Sequence, residues 1–119
     1  MSKKPCKVLV VDDDADTREA LSTALSESGF LVETVDGGRQ ALDWVQHHGE
    51  PDVILLDFRM PEMDGAQFLE RTRASRSRVI MLTGDASARV VRLARDAKLL
   101  AKPVDLEQLE AAVKEACAA

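Results

Sequence analysis

Five side chains of this sequence could do chemistry together, because each stands just past an apolar run. Asp12 and Asp13 follow Val8-Leu9-Val10-Val11, Asp57 follows Val53-Ile54-Leu55-Leu56, and Thr83 follows Val79-Ile80-Met81-Leu82. Lys102 follows the shorter run Leu99-Leu100-Ala101. A continuous apolar run of this length reads as a strand buried on both faces, as in a parallel sheet. In open α/β sheets, ligands bind at the carboxyl ends of the strands. Neighbouring strands lie about 4.8 Å apart, so Asp12, Asp13 and Asp57 would share one small volume. Like charges that close raise one another's pKa unless a cation joins them.

Magnesium suits such a site. It is a hard ion, usually held by one or two carboxylates, several waters and a phosphate oxygen. Asp12, Asp13, Asp57 and the main-chain carbonyl of Arg59 are the candidate ligands. Lys102 and Thr83 would offer an ammonium and a hydroxyl to the equatorial oxygens of a phosphoryl group. Asp57 would then attack phosphorus in line and become an acyl phosphate.

The elements that must position these groups follow from the pattern. Strands are expected at 7–11, 30–35, 52–56, 79–82 and 98–101. Glu33 interrupts the second, which suits an edge strand. The first helix is expected from Asp14 or Asp16 to Ser28, with Ala20, Leu21, Ala24 and Leu25 inward and Gly29 as its stop. Asp36 is expected to cap the second helix, which turns Ala41, Leu42 and Val45 inward and leaves Trp44 at its margin. A third helix, 65–73, buries Phe68 and Leu69, and a fourth runs through Val90, Val91 and Ala94. The last is expected to start at an Asp105–Gln108 capping box and to put Leu106, Leu109, Val113 and Ala116 on one side. Strands and helices in alternation predict right-handed βαβ units and a doubly wound α/β fold, (βα)5, with strand order 2-1-3-4-5.

Length and composition agree. A chain of 119 residues is one domain, with its core at about 6–117, and can bury that core without metal or disulfide help. A net charge of −5 argues against a nucleic-acid or anionic-membrane surface. No run approaches the roughly 20 apolar residues of a membrane span, and a cytoplasmic protein is expected. Cys6 and Cys117 match no metal or redox spacing. They are expected as reduced structural thiols, with contact between the termini as the alternative.

The sequence resembles a response-regulator receiver domain of two-component signalling, of the CheY-like kind. The resemblance rests on Val10-Val11-Asp12-Asp13-Asp14, Leu55-Leu56-Asp57, Met60-Pro61-Glu62-Met63-Asp64-Gly65, Met81-Leu82-Thr83-Gly84 and Lys102-Pro103. It covers nearly the whole chain. It implies that Asp57 is the phosphoacceptor, Thr83 the switch hydroxyl and Lys102 the phosphoryl-pairing lysine. Asp12 and Asp13 would be the acidic pair, with Asp13, Asp57 and the Arg59 main-chain oxygen on magnesium. It also implies a cis bond before Pro103. The donor would be a histidine kinase or histidine phosphotransfer protein, and the output a downstream effector protein or domain, with a homodimer on phosphorylation as a further option. Three positions depart from the family: Leu99 replaces a usual aromatic residue, Asp96 a common glycine and Val104 a common phenylalanine.

Other readings account for less. The alternation Asp12, Asp14, Asp16 resembles a calcium loop but has Thr17 where glycine is required and Thr23 where the bidentate glutamate belongs. A phosphohydrolase that forms an aspartyl phosphate would put its nucleophile on the first strand, at Asp12, and Asp16 breaks that pattern. A binding-only relative of the receiver domain would not need the full set of site residues. His47 and His48 read as exposed at a helix end, and Arg89, Arg92 and Arg95 as a solvated helix face, with a docking surface for an acidic partner motif as the alternative.

Overall fold

The computed structural model describes residues 5–71, 77–84 and 97–118. Five parallel strands, β1 (Lys7–Val11), β2 (Leu31–Val35), β3 (Val53–Asp57), β4 (Arg78–Thr83) and β5 (Lys98–Ala101), form one sheet in the order β2-β1-β3-β4-β5. The four described helices are α1 (Ala15–Glu27), α2 (Gly38–His48), α3 (Gly65–Arg71) and α4 (Leu106–Ala118). The expected helix through Val90, Val91 and Ala94 lies outside the described residues, as do Asp96 and Arg89, Arg92 and Arg95.

Strand alternation divides the core in two. Val8, Val10, Val53, Leu55, Ile80 and Leu82 pack with Leu21 and Leu25 of α1 and Leu109, Ala112 and Val113 of α4. Leu9, Val11, Ile54, Leu56 and Met81 pack on the opposite face with Ala41 of α2, Phe68 of α3 and the loop residues Met60 and Met63. Every residue of β3 is buried, which is why its sequence is apolar without a break. β2 carries the burial of an edge strand, with Leu31 half exposed. Each large side chain fully withdrawn from water contributes about 1.5–3 kcal/mol, and Phe68 and Leu109 are among the most deeply enclosed.

The helix ends follow local chemistry. The Asp14 side chain caps α1 by accepting from the Thr17 amide and hydroxyl. These bonds, the hydroxyl first, hold its carboxyl below the usual aspartate range. α1 closes with Phe30 N–H donating to Leu25 O and Gly29 N–H to Ser26 O, with Gly29 at φ 95°. This left-handed closure is where glycine costs least. Because the Phe30 amide serves the helix, β2 starts one residue later than expected. Asp36 does not cap α2: the cap position is Gly37, without a side-chain bond. The extra residue between the acid and the first turn puts Asp36 out of reach. At α4, Asp105 Oδ1 accepts from the Glu107 and Gln108 amides. Leu109 and Val113 are buried and Ala116 partly so, but Leu106 is 50% exposed. It sits on the first turn, ahead of the point where the helix meets the sheet.

A further expectation is overturned. Cys6 and Cys117 are joined as a disulfide, with Cα atoms 5.9 Å apart. The reason is topological. Cys6 immediately precedes β1, next to the centre of the sheet, and α4 runs back across that face to the edge where β1 begins. A separation of 111 residues along the chain therefore becomes adjacency in space. In the loop-closure account, a bond closing a loop of about 100 residues disfavours the unfolded chain by about 4.7 kcal/mol.

Candidate functional site

The strand register builds the site as a set of steps. Val11 pairs with Leu56, so Asp12 comes level with Asp57. Asp57 pairs with Leu82, so Thr83 lies one residue beyond it. Thr83 pairs with Ala101, and Lys102 follows. Asp12 continues the alternation of Val8 and Val10, and Asp57 that of Val53 and Leu55, so both acids leave the sheet on the same side. Rigid strands thus deliver Asp57, Thr83, Lys102 and the Asp12-Asp13 pair to one edge.

The three carboxylates each present an oxygen within 4.8 Å of the others. Asp12 is 2% exposed, Asp57 6% and Thr83 4%, whereas Asp13 is exposed. Lys102 Nζ lies 2.9 Å from Asp57 Oδ1. Asp12 Oδ1 accepts from the Asp14 amide at 2.9 Å, and the Asp12 carbonyl accepts from Arg18 Nη1 at 2.7 Å. Asp12 Oδ2 is fully buried and has no hydrogen-bond partner among the described residues. Burial pushes the Asp12 carboxyl above the usual aspartate range, and the charges of Asp57 and Asp13 add to that push. The Asp14 amide and Lys102 oppose it.

These groups fit a divalent cation. Among the described residues, three carboxylates facing one ammonium leave two negative charges, and one buried oxygen lacks any donor. The donor set is all carboxylate oxygen, which selects a hard ion such as magnesium.

The loop after β3 forms one wall. Its ends are tied, with Phe58 N–H donating to Leu82 O at 2.9 Å and Gly65 N–H donating to Phe58 O at 2.7 Å. Asp64 and Gln67 form a reciprocal capping box at α3, with Asp64 Oδ1 accepting from the Gln67 amide and Gln67 Oε1 from the Asp64 amide. The Asp64-x-x-Gln67 spacing is legible in the sequence, but the reading above assigns such a box only to Asp105. A Cβ at Gly65 would come 2.9 Å from Met81 Cε and 3.1 Å from the Phe58 backbone, so this position needs glycine for close approach. Glu62 holds a positive φ of 68° in the same loop, a conformation uncommon outside glycine, asparagine and aspartate. Arg59 is exposed. With Asp57, Phe58, Thr83, Gly84 and Lys102 it lines an open cleft of about 360 Å³. The opposite wall is pinned by Lys102 N–H donating to Thr83 O at 2.8 Å, and the Lys102–Pro103 bond is cis as the resemblance implied.

An acidic cluster beside a lysine-paired carboxylate, at the mouth of a cleft large enough for a phosphoryl group, can do phosphoryl transfer to oxygen. The comparisons with known proteins point the same way. The sequence profile of the response regulator receiver domain matches residues 8–114. A probable transcriptional regulator of Guillardia theta is 39% identical over 112 residues, which make up 91% of this chain and 44% of that protein. Sporulation initiation phosphotransferase F of Bacillus subtilis is 32% identical over 114 residues, covering 92% of this chain and 91% of that protein. The chain spans about half or less of the length of the Guillardia regulator and of several other curated regulators it matches. The chemotaxis protein CheY4 of Vibrio cholerae superposes with a TM-score of 0.87 at 31% identity, over 95% of this chain and 99% of that one.

Proposed function

Because the chain belongs to the response-regulator receiver domain family of two-component signalling, we propose that Asp57 accepts a phosphoryl group from a phosphohistidine donor at this edge of the sheet. The observation that carries the proposal is the 2.9 Å pairing of Lys102 Nζ with Asp57 Oδ1 beside the orphaned Asp12 oxygen. An Asp57 carboxylate oxygen attacks phosphorus, and the bond from phosphorus to the imidazole nitrogen breaks, with the electron pair leaving on nitrogen. Lys102 moves from carboxylate to phosphoryl oxygen, and the Thr83 hydroxyl donates to a second. Asp12, Asp13, Asp57 and the Arg59 main-chain oxygen would hold Mg2+, which neutralises the charge gathered in the transition state.

The domain is a signalling module, not a metabolic enzyme. The chemistry proposed for it is its own phosphorylation and dephosphorylation. The reading takes residues 1–119 as one receiver domain in a cytoplasmic setting. Its partners are a histidine kinase or histidine phosphotransfer protein and a downstream effector protein or domain, with homodimerisation on phosphorylation as one form of output. Among the described residues no helix is long and apolar enough to cross a membrane. The phosphohydrolase reading, with Asp12 as nucleophile, is disfavoured. Asp12 is not among the residues lining the cleft, and one of its oxygens is tied to the Asp14 amide.

Incubation with acetyl phosphate and magnesium tests the proposal. Intact mass should rise by one phosphoryl group, hydroxylamine should remove it, and Asp57→Asn should abolish it. Labelling that survives in Asp57→Asn and disappears in Asp12→Asn would favour the phosphohydrolase. No labelling at all would favour a binding-only domain.

A further inference from the structure

The edge of the sheet opposite Asp57 carries the chain's two cysteines, joined to each other. Both are partly exposed, and both line an open cleft of about 540 Å³ together with Pro5, Lys7, Leu31 and Asp52. Their side chains lie at the margin of the core formed by α1, α4 and one face of the sheet. Cys6 immediately precedes β1, and Cys117 lies one residue before the end of α4. The bond therefore sits at the rim of the core and not inside it. It clips the last turn of one helix to the start of one strand, where a small thiol can reach it. A disulfide buried for stability alone would be shielded from exchange, and exchange requires access to a sulfur.

We propose that Cys6–Cys117 is a reversible thiol–disulfide site that clamps the C-terminal end of α4 to the start of β1. The partner it takes is a low-molecular-weight disulfide such as oxidised glutathione. The thiolate of one cysteine attacks a sulfur of that disulfide, forms a mixed disulfide and expels one small thiolate. The second cysteine, as thiolate, attacks the protein sulfur of the mixed disulfide and expels the other. Two electrons pass from the pair of cysteines to the small disulfide, which leaves as two thiols, and the two cysteine protons pass to solvent or to the departing thiolates. Reduction runs the same steps backwards.

The clamp lies a full strand length from the carboxylates, because Asp12 and Cys6 flank β1 at opposite ends. Oxidation should therefore change the order of the α4 end without changing the chemistry at Asp57.

The test equilibrates the folded 119-residue chain with glutathione mixtures of graded oxidised-to-reduced ratio, without denaturant. Thiol alkylation and intact mass report the bond, and amide hydrogen exchange reports residues 110–118. The expected result is a single transition from dithiol to disulfide, with exchange in that segment at least tenfold slower in the oxidised form. Cys117→Ser should show the fast exchange in every mixture. Labelling by acetyl phosphate should agree within twofold across the series. The proposal is overturned if the thiols stay unpaired in every mixture, if pairing needs denaturant, or if exchange at 110–118 is the same in both forms. Should Cys117→Ser fold poorly, wild type held reduced supplies the same comparison. Loss of acetyl phosphate labelling in all mixtures would count against the proposed phosphorylation and leave the redox result standing.

Discussion

The same strands end in two different ways. At the amino edge the polar groups answer one another. Asp52 accepts from the Lys7 amide through Oδ2 at 2.8 Å, donates its own amide to Lys7 O at 2.9 Å, and accepts from the Arg78 amide through its carbonyl at 3.0 Å. One aspartate thus ties β1, β3 and β4, and the disulfide adds α4. At the carboxyl edge three aspartates share a volume with Lys102, and a buried carboxylate oxygen has no donor among the described residues. The difference teaches where this molecule carries charge that its own side chains leave unbalanced. An aspartate at one edge supports the fold, whereas the aspartates at the other repel one another, a repulsion that a bound cation would relieve.

That contrast can be broken at either edge. The largest effect is expected from Asp57→Asn, which should bring phosphate incorporation to background in a mass assay while circular dichroism stays native. Lys102→Ala should leave the acceptor in place but remove the ammonium, slowing labelling by about 10²–10³-fold, the usual cost of deleting one group that stabilises transition-state charge. Magnesium binding should still be detectable by calorimetry in this variant.

The metal and pH dependence sharpens the comparison further. Asp12 has a raised carboxyl pKa in the folded protein. As pH rises, the unfolded carboxyl ionises first, so stability is lost through the window from the ordinary aspartate range to the raised value. Asp14, with a lowered pKa, acts in the opposite sense and weakens the fold as pH falls. Urea midpoints of metal-free protein should therefore decline above the aspartate range, and Asp12→Asn should flatten that decline. Magnesium at a hundred times its dissociation constant should add about 2.7 kcal/mol at neutral pH. An unchanged urea midpoint on adding magnesium would remove the cation from the account.

The smallest effect is expected at the amino edge. Asp52→Ala should cost about 1–2 kcal/mol, as one side-chain bond to a strand amide is lost. Acetyl phosphate labelling should stay within twofold, and a larger loss would mean that the two edges are coupled.

Much of this was legible in the sequence because burial on both faces of β3 demands an unbroken apolar run, and Val53 to Leu56 provides it. Each candidate site residue stands just beyond such a run, so the strand ends bring these side chains to one edge of the sheet. Glu33 correctly marked β2 as an edge. What escaped notice depends on distance in space. Cys6 and Cys117 share no local pattern, and only the return of α4 across the sheet joins them. Leu106 fits the helical period of Leu109 and Val113, yet the angle at which α4 enters leaves it in water. Asp36 has the right type for a cap, but Gly37 occupies the position.

The adjacency of residues 6 and 117 also makes this chain a natural closed ring. A linker of a few residues could join the present ends, and new ones could be opened at an exposed turn such as Gly49, beyond the last turn of α2. Circular permutants of this design would keep every strand in its register, and a reporter inserted at the joint would project from the edge of the sheet opposite Asp57.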